Sequence, residues 1–140
     1  MKKSPKDVEK LMRQMNELAF QVAADYGVTL DYSDKSVRKV EKILSDMHVG
    51  YKQLKDDTGL RGLALFFAAY LGEVIRKKGL GGTWSRHHPE AGEDSFPFHW
   101  NGSDLFLYGW CLKRIFDGKQ DNVWSKYQVC VLDMLKNPSK

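Results

Sequence analysis

The sequence predicts an α+β domain, and three patterns lead to this prediction. Apolar residues recur at helical spacing along most of the 140 residues, one helix is apolar on nearly every side, and after residue 81 the spacing of apolar residues shortens to two. We therefore expect about five helices around a central buried helix at about 57–78. A small antiparallel hairpin, with strands at about 83–88 and 95–100, completes the expected fold.

Length and composition favour a single folded domain spanning 1–140. Hydrophobic residues make up 42% of the chain and charged residues 29%, which are ordinary values for a globular protein. A chain of this length buries roughly two-thirds of its unfolded surface, so that it needs neither a metal nor a disulfide to fold.

The N-terminal helix is predicted at 4–26. Ser4 serves as N-cap, Pro5 occupies the first helical position and Gly27 ends the helix. The alternation over 28–32 then predicts a short extended segment or strand.

A second helix is predicted to begin with Ser33 or Asp34 as its cap. One apolar stripe gives it a buried face, with 50–55 as the following connection. The stripe consists of Val37, Val40, Ile43, Leu44 and Met47.

The third helix is predicted to be the most buried. Asp57 or Thr58 caps it, apolar residues cover nearly every side over 60–75, and the cations at 76–78 suit its negative C-terminal end.

The hairpin is predicted to segregate its side chains between two faces. Pairing Trp84 with Trp100 places the large aromatic residues on one face and leaves the polar side chains on the other. The polar face then carries Ser85, His87, Pro97 and His99. Since Pro97 has no amide hydrogen, its strand lies at an edge or its nitrogen points outward.

Two further helices are predicted after the hairpin. Asn101-Gly102 turns the chain, Ser103 or Asp104 caps a helix over 105–116, and Asp121 or Asn122 begins a last helix that Asn137-Pro138 stops. Cys111 and Cys130 lack metal-ligand spacing, so we expect buried free thiols, which suits a reducing compartment.

Charge and hydropathy narrow the functional classes. The net charge of +4 is distributed along the chain without the concentrated basic stripe of a dedicated nucleic-acid binder, which makes nucleic acid an unfavoured partner. The N-terminus lacks the apolar region of a secretory signal, and the longest uncharged apolar run is too short to span a membrane. We expect a cytoplasmic protein without membrane attachment.

Glu73 is the sharpest single candidate for function because it lies within the apolar third helix. A helical ion pair with Arg76 or Lys77, or hydrogen bonds to amides of the glycine-rich turn, explains it structurally. The alternative is a cleft carboxylate that acts as a general base, the only catalytic candidate that the residues suggest.

The remaining chemistry-bearing residues do not form a known motif. His87, His88 and His99 lack metal-ligand spacing, no serine or cysteine is tied to His99 by a recognisable pattern, and 79–82 is not a phosphate loop. We therefore expect no metal and no cofactor. The aromatic residues of the hairpin favour core packing over the stacking of bases.

The acidic loop over 89–94 is the predicted recognition surface, with an ordinary solvated turn as the equal alternative. Candidate binding residues on or near it and the third helix are Tyr70, Glu73, Trp84, Arg86, His87, Glu90, Glu93, Asp94 and His99.

Residues 30–127 resemble a family of small bacterial domains of unknown function. The resemblance depends on LDYSDKSVRKVEKIL at 30–44 and on FAAYLGEVIRKKGLGGTW at 67–84, in which an AYLGEV helix leads into GGxW. It implies an α+β fold and a bacterial source, and no established activity or catalytic residue. Some relatives in that family resemble immunity-type proteins encoded beside toxins.

Three functional hypotheses follow. The favoured one is a non-catalytic protein-binding module with an immunity or accessory role, in which the immunity role implies a toxin as the partner. The second is a small enzyme or ligand-binding domain with a cleft around Glu73, lined by Tyr70, Trp84 and His99. The third is weak nucleic-acid binding through basic helix faces. The residues specify neither a ligand nor an oligomeric state.

Overall fold

The computed structural model describes residues 5–136 and has an α+β fold, as predicted. Ser4 and Asn137-Pro138, the predicted cap and stop of the terminal helices, lie outside the described residues. The helices are α1 (Pro5–Asp25), α2 (Asp34–Leu54), α3 (Leu60–Arg76), α4 (Leu107–Phe116), α5 (Val123–Tyr127) and α6 (Asp133–Lys136). The strands are β1 (Thr83–Trp84), β2 (Phe98–Trp100) and β3 (Ser103–Leu105), and a single 3₁₀ turn spans Lys119–Asp121.

Helix α3 is the centre of the core, as its apolar sequence predicts. It packs mainly against α1 and α4, and most of its residues from Phe67 to Ile75 are buried. The predicted caps, Asp57 and Thr58, were wrong, because Gly59, with φ of 77°, occupies the N-cap position. The amide of Thr58 donates to the Asp56 carboxylate in the turn before the helix. The helix is therefore a few residues shorter at each end than 57–78.

Helix α2 begins as predicted and ends later. The Ser33 hydroxyl accepts the amide N–H of Ser36 at 3.2 Å, and the predicted apolar stripe is buried. The predicted connection over 50–55 was wrong, because the helix continues to Leu54 and ends at Lys55, which has φ of 57°. A lone glycine at position 50 does not stop a helix that is otherwise well packed.

Residues 28–32 form no strand, so of the two alternatives predicted there, a short extended segment or a strand, the strand was wrong. Tyr32 has φ of 65°, and its amide donates to the Tyr70 hydroxyl at 2.8 Å instead of to a neighbouring strand. The Asp31 carboxylate accepts the amide of Ser33 at 3.0 Å, which closes a turn before α2.

The sheet has three antiparallel strands in the order β1-β2-β3. The predicted pairing of Trp84 with Trp100 was wrong, since Trp84 pairs with Phe98. The two registers differ by two residues, so the same side chains still share a face. The strands are also shorter than 83–88 and 95–100, because the segments beyond them separate into a loop.

The third strand replaces the predicted start of the fourth helix. Asn101 and Gly102 both have positive φ, at 50° and 75°, which forms the tight hairpin turn that returns the chain as β3. Ser103 and Asp104 therefore pair with β2 instead of capping α4. This makes β2 the central strand and excludes an edge position; Pro97 comes immediately before its paired residues.

A buried ion pair joins α2, α4 and α5. The Arg114 Nε atom donates to both carboxylate oxygens of Glu41, at 3.0 and 2.9 Å, and Glu41 also accepts the amide of Val123 at 2.9 Å. Arg114 is almost completely buried. A buried charge of this kind stabilises only when its partner and its hydrogen bonds are in place.

The C-terminal helical segment is interrupted by a π-helix. Asn122 caps it by accepting the amide of Ser125 at 2.9 Å, and five residues, Gln128–Leu132, have π geometry between α5 and α6. Cys111 is a buried free thiol, and burial raises its pKa; Cys130 is half-buried.

Two glycines fix the position of the sheet on α3. A Cβ atom added at Gly72 would overlap the Trp84 indole, at 3.1 Å from Cε2 and closer still to Cζ2. At Gly82, with φ of 126°, an added Cβ would lie 2.8 Å from Cζ of Phe98. Only glycine lets the strand approach the helix this closely.

We expect Gly72→Ala to lower the free energy of unfolding by about 1–3 kcal/mol, because the methyl group overpacks a filled contact. Gly62→Ala is the matched control, since Gly62 lies on the same helix with no atom within 4 Å of an added Cβ. It should be neutral or stabilise by up to about 1 kcal/mol. Urea unfolding of both variants measures the difference, and equal effects would contradict the proposed contact.

Candidate functional site

Tyr70 lies inside the core. Its side chain is fully buried, and its hydroxyl donates to Ser36 Oγ at 2.6 Å while it accepts the amide of Tyr32. Burial raises its pKa, and both of these hydrogen bonds oppose the rise. The hydroxyl thus links α3 to the start of α2.

Glu73 forms the helical ion pair that its spacing predicts. Its carboxylate lies 3.5 Å from Nη1 of Arg76, and 23% of its side chain is exposed. Arg76 also donates through Nη2 to Glu9 at 3.1 Å. Two carboxylates, one from α1 and one from α3, therefore share one guanidinium.

Trp84 anchors the first strand in the core. Its indole is buried against Gly72, and its Nε1 atom has no hydrogen-bond partner among the described residues. The amide of Trp84 donates to Glu9 at 2.7 Å. This amide lies on the edge of β1 that pairs with no other strand. Glu9 of α1 therefore satisfies a donor that would otherwise be unpaired.

A cleft of about 750 Å³ lies between α1 and β1. Its strand wall consists of Thr83, Trp84 and Ser85. Its helix wall carries three cations and two carboxylates, namely Lys6, Asp7, Glu9, Lys10 and Arg13. Glu73 does not line this cleft or the 280 Å³ cavity beside β3 and the C-terminal helical segment.

The loop between β1 and β2 is held by its own hydrogen bonds. His88 and Gly92 exchange backbone hydrogen bonds of 2.9 and 3.0 Å, and Nδ1 of His88 accepts the amides of Glu90 and Ala91. At the base of the loop, Arg86 donates to Asp94 at 2.6 Å.

The other candidates of the loop lie on its exposed surface. His87 accepts the amide of Asp94 through Nδ1 at 3.1 Å. Glu90 and Glu93 are exposed, as is Asp94. The sequence-predicted recognition residues of the loop therefore lie together, while Tyr70 and Glu73 belong to the core helix.

The solvent-facing side of the sheet brings three polar side chains into a hydrogen-bonded series. His99 Nε2 lies 2.6 Å from Ser85 Oγ, and His99 Nδ1 lies 2.5 Å from one carboxylate oxygen of Asp104. The other oxygen of Asp104 lies 3.3 Å from Nε2 of His88. Each of the three strands, or the segment next to it, contributes one member of the series.

Sequence reasoning identified His99 but not Ser85 or Asp104 as its partners. The signal was present in the Asn101-Gly102 turn, because a two-residue hairpin turn places His99 directly opposite Asp104. Glu9 was also missed, since nothing in a helical repeat reveals which distant amide a half-buried carboxylate will accept.

Within residues 5–136, no three side chains among His, Cys, Asp and Glu converge as a metal-binding group. No helix over 5–136 has the length and apolar content to cross a bilayer.

Comparisons of the chain with protein-family models, with curated proteins and with solved structures gave no match. The resemblance to the AYLGEV and GGxW family stays an expectation. The geometry nevertheless gives physical reasons for its residues: Gly72 and Gly82 permit close approach, and Trp84 fills the space.

We expect Glu9→Ala to destabilise the protein by about 1–3 kcal/mol, because it leaves the Trp84 amide and part of the Arg76 guanidinium without their acceptor. Glu73→Ala is the matched control: Arg76 keeps its 3.1 Å contact with Glu9, so the cost should be below about 1 kcal/mol. Thermal and urea unfolding measure both variants. A larger effect at Glu73 would show that the central carboxylate has a role beyond this ion pair.

Proposed function

We propose that this chain is a protein-binding domain that recognises its partner through residues 86–95, the recognition loop, and the adjoining polar face of the sheet. The observation that carries the proposal is that the loop is both exposed and held in one shape by its own hydrogen bonds. A preformed loop loses little conformational entropy on binding, which favours recognition.

The charge of the loop indicates the chemistry of the partner. The recognition loop has three carboxylates, Glu90, Glu93 and Asp94, and one guanidinium, Arg86. The whole chain, by contrast, has a net charge of +4. The loop is thus an acidic region on a basic protein. A partner with a basic surface complements it, and such complementarity chiefly raises the association rate and the specificity.

Ion pairing supports a protein partner over nucleic acid. Several cations that could contact phosphates already have carboxylate partners: Lys42 with Asp46, Lys78 with Asp34, and Lys126 with Asp121. Phosphate contacts by these residues would require those ion pairs to break.

An accessory or immunity role is the finer form of the proposal. It is supported by the resemblance of residues 30–127 to a family in which some relatives are immunity-like. In that role the basic partner would be a toxin.

We expect Glu90→Lys with Glu93→Lys to weaken partner binding by at least about tenfold, because both substitutions place like charges against a basic surface. The matched control reverses two exposed acidic residues of α1, Glu17→Lys with Asp25→Lys, and changes the net charge equally. Affinity capture from source cells with all three proteins, followed by titration of the purified captured protein at two salt concentrations, measures the effect.

Two outcomes would contradict the proposal. One is a captured protein that binds the loop variant and the control variant equally well. The other is retention of a small molecule, with no protein retained by the wild-type chain.

A further inference from the structure

The solvent-facing side of the sheet carries a serine, a histidine and an aspartate in hydrogen-bonded sequence. We propose that Ser85, His99 and Asp104 form a hydrolytic site in which the Ser85 hydroxyl attacks a carboxylic ester that bears a negative charge. This inference goes beyond the protein-binding proposal and does not depend on it.

The hydrogen bonds assign the protonation of the series. Asp104 only accepts, so Nδ1 of His99 donates to it across 2.5 Å and Nε2 is left as the acceptor for the Ser85 O–H at 2.6 Å. His99 is thereby held in the tautomer that can take a proton from the serine. Asp104 is a positioning residue, because it reaches the reacting atoms only through the imidazole.

Asp104 is itself held from a second side. Nδ1 of His88 accepts two amides of the recognition loop, so its Nε2 carries the proton, and this nitrogen lies 3.3 Å from the second oxygen of Asp104. The carboxylate therefore lies between two imidazoles, one of which, His99, is hydrogen-bonded to it before any ligand binds.

Ser85 is partly exposed and forms part of the wall of the 750 Å³ cleft. A substrate in the cleft can therefore reach it. The helix wall carries three cations, Lys6, Lys10 and Arg13, and two carboxylates, Asp7 and Glu9. Glu9 already accepts hydrogen bonds from Arg76 and from the Trp84 amide. The cleft thus has an excess of positive charge, which favours an ester with an anionic group.

The reaction proceeds in two balanced stages. Ser85 Oγ bonds to the ester carbonyl carbon while His99 Nε2 takes the hydroxyl proton, and the tetrahedral intermediate then expels the alkoxide, which receives that proton and leaves as an alcohol. Water attacks the acyl-serine, His99 takes a proton from the water and returns it to Ser85 Oγ, and a carboxylate and a proton are released. The sum is one ester and one water converted to an alcohol and an acid.

The developing oxyanion needs donors other than the nearest amides. The Ser85 amide donates to the carbonyl oxygen of Pro97 at 3.0 Å, and the Trp84 amide donates to Glu9. Lys6, Lys10 and Arg13 line the same cleft as Ser85, and the hydrolytic site requires one or more of them to donate to this charge.

The first experiment treats the folded full-length chain with a fluorophosphonate probe and identifies the modified residue by mass spectrometry. We expect a single adduct on Ser85, its absence in Ser85→Ala, and a labelling rate about 10²-fold or more lower in His99→Gln. Ser103→Ala is the matched control, since it removes an exposed serine of the same sheet on the opposite face, and it should label at the wild-type rate.

The second experiment measures hydrolysis of mono(4-nitrophenyl) succinate and of 4-nitrophenyl acetate. We expect the anionic ester to be preferred, and the preference to fall several-fold in Lys10→Gln. Asp104→Asn should lower kcat with little change in KM, while Asp104→Glu should retain part of the activity.

The alternative is that the hydrogen bonds among Ser85, His99 and Asp104 are structural only, and this alternative predicts different results. Labelling of Ser85 no faster than in the urea-unfolded chain, or an equal labelling rate in His99→Gln, would overturn the hydrolytic site. Circular dichroism of each variant distinguishes loss of chemistry from loss of fold. Because Ser85→Ala leaves Glu90 and Glu93 in place, partner binding can persist when labelling fails, so the two proposals fail separately.

Discussion

The contact between the Trp84 indole and Gly72 determines how the two parts of this fold meet. The sheet is only three short strands, too small to be stable alone, and it gains stability by placing its aromatic face on α3. That placement requires a helix position without a side chain and a buried aromatic residue opposite it. Glu9 then fixes the strand edge by accepting the Trp84 amide, so α1, α3 and β1 are joined at one point.

The two faces of the sheet acquire different roles from this contact. Because successive strand residues alternate between faces, burying Trp84, Phe98 and Trp100 places Ser85 and His99 on the opposite, polar face. Both side chains are half-buried there, and the tight turn after β2 adds Asp104 beside them. The polar series exists because the aromatic face is buried.

Much of the fold follows from local patterns, and the register of the sheet does not. The apolar period predicts α2 and the burial of α3, since burial of a stripe is an intrinsic property of the helix sequence. The pairing of Trp84 with Phe98 instead depends on how many residues the loop takes up, and a two-residue shift keeps Trp84, Phe98 and Trp100 on one face. Periodicity therefore could not distinguish the two registers.

Of the candidate residues, Glu73 could be identified from the sequence, but the grouping of Ser85, His99 and Asp104 could not. Glu73 attracts notice because a carboxylate is unusual in an apolar helix, yet its partner is the nearby Arg76, which α1 also holds through Glu9. Ser85, His99 and Asp104 are ordinary residues on their own strands and acquire chemical interest only when three strands meet. A site assembled across strands depends on which segments pair, and local pattern did not reveal that Ser103–Leu105 returns as a third strand, whereas a charge within a helix is visible at once. The chemistry of this domain is accordingly expected on the exposed face of the sheet rather than along the helix that first draws attention.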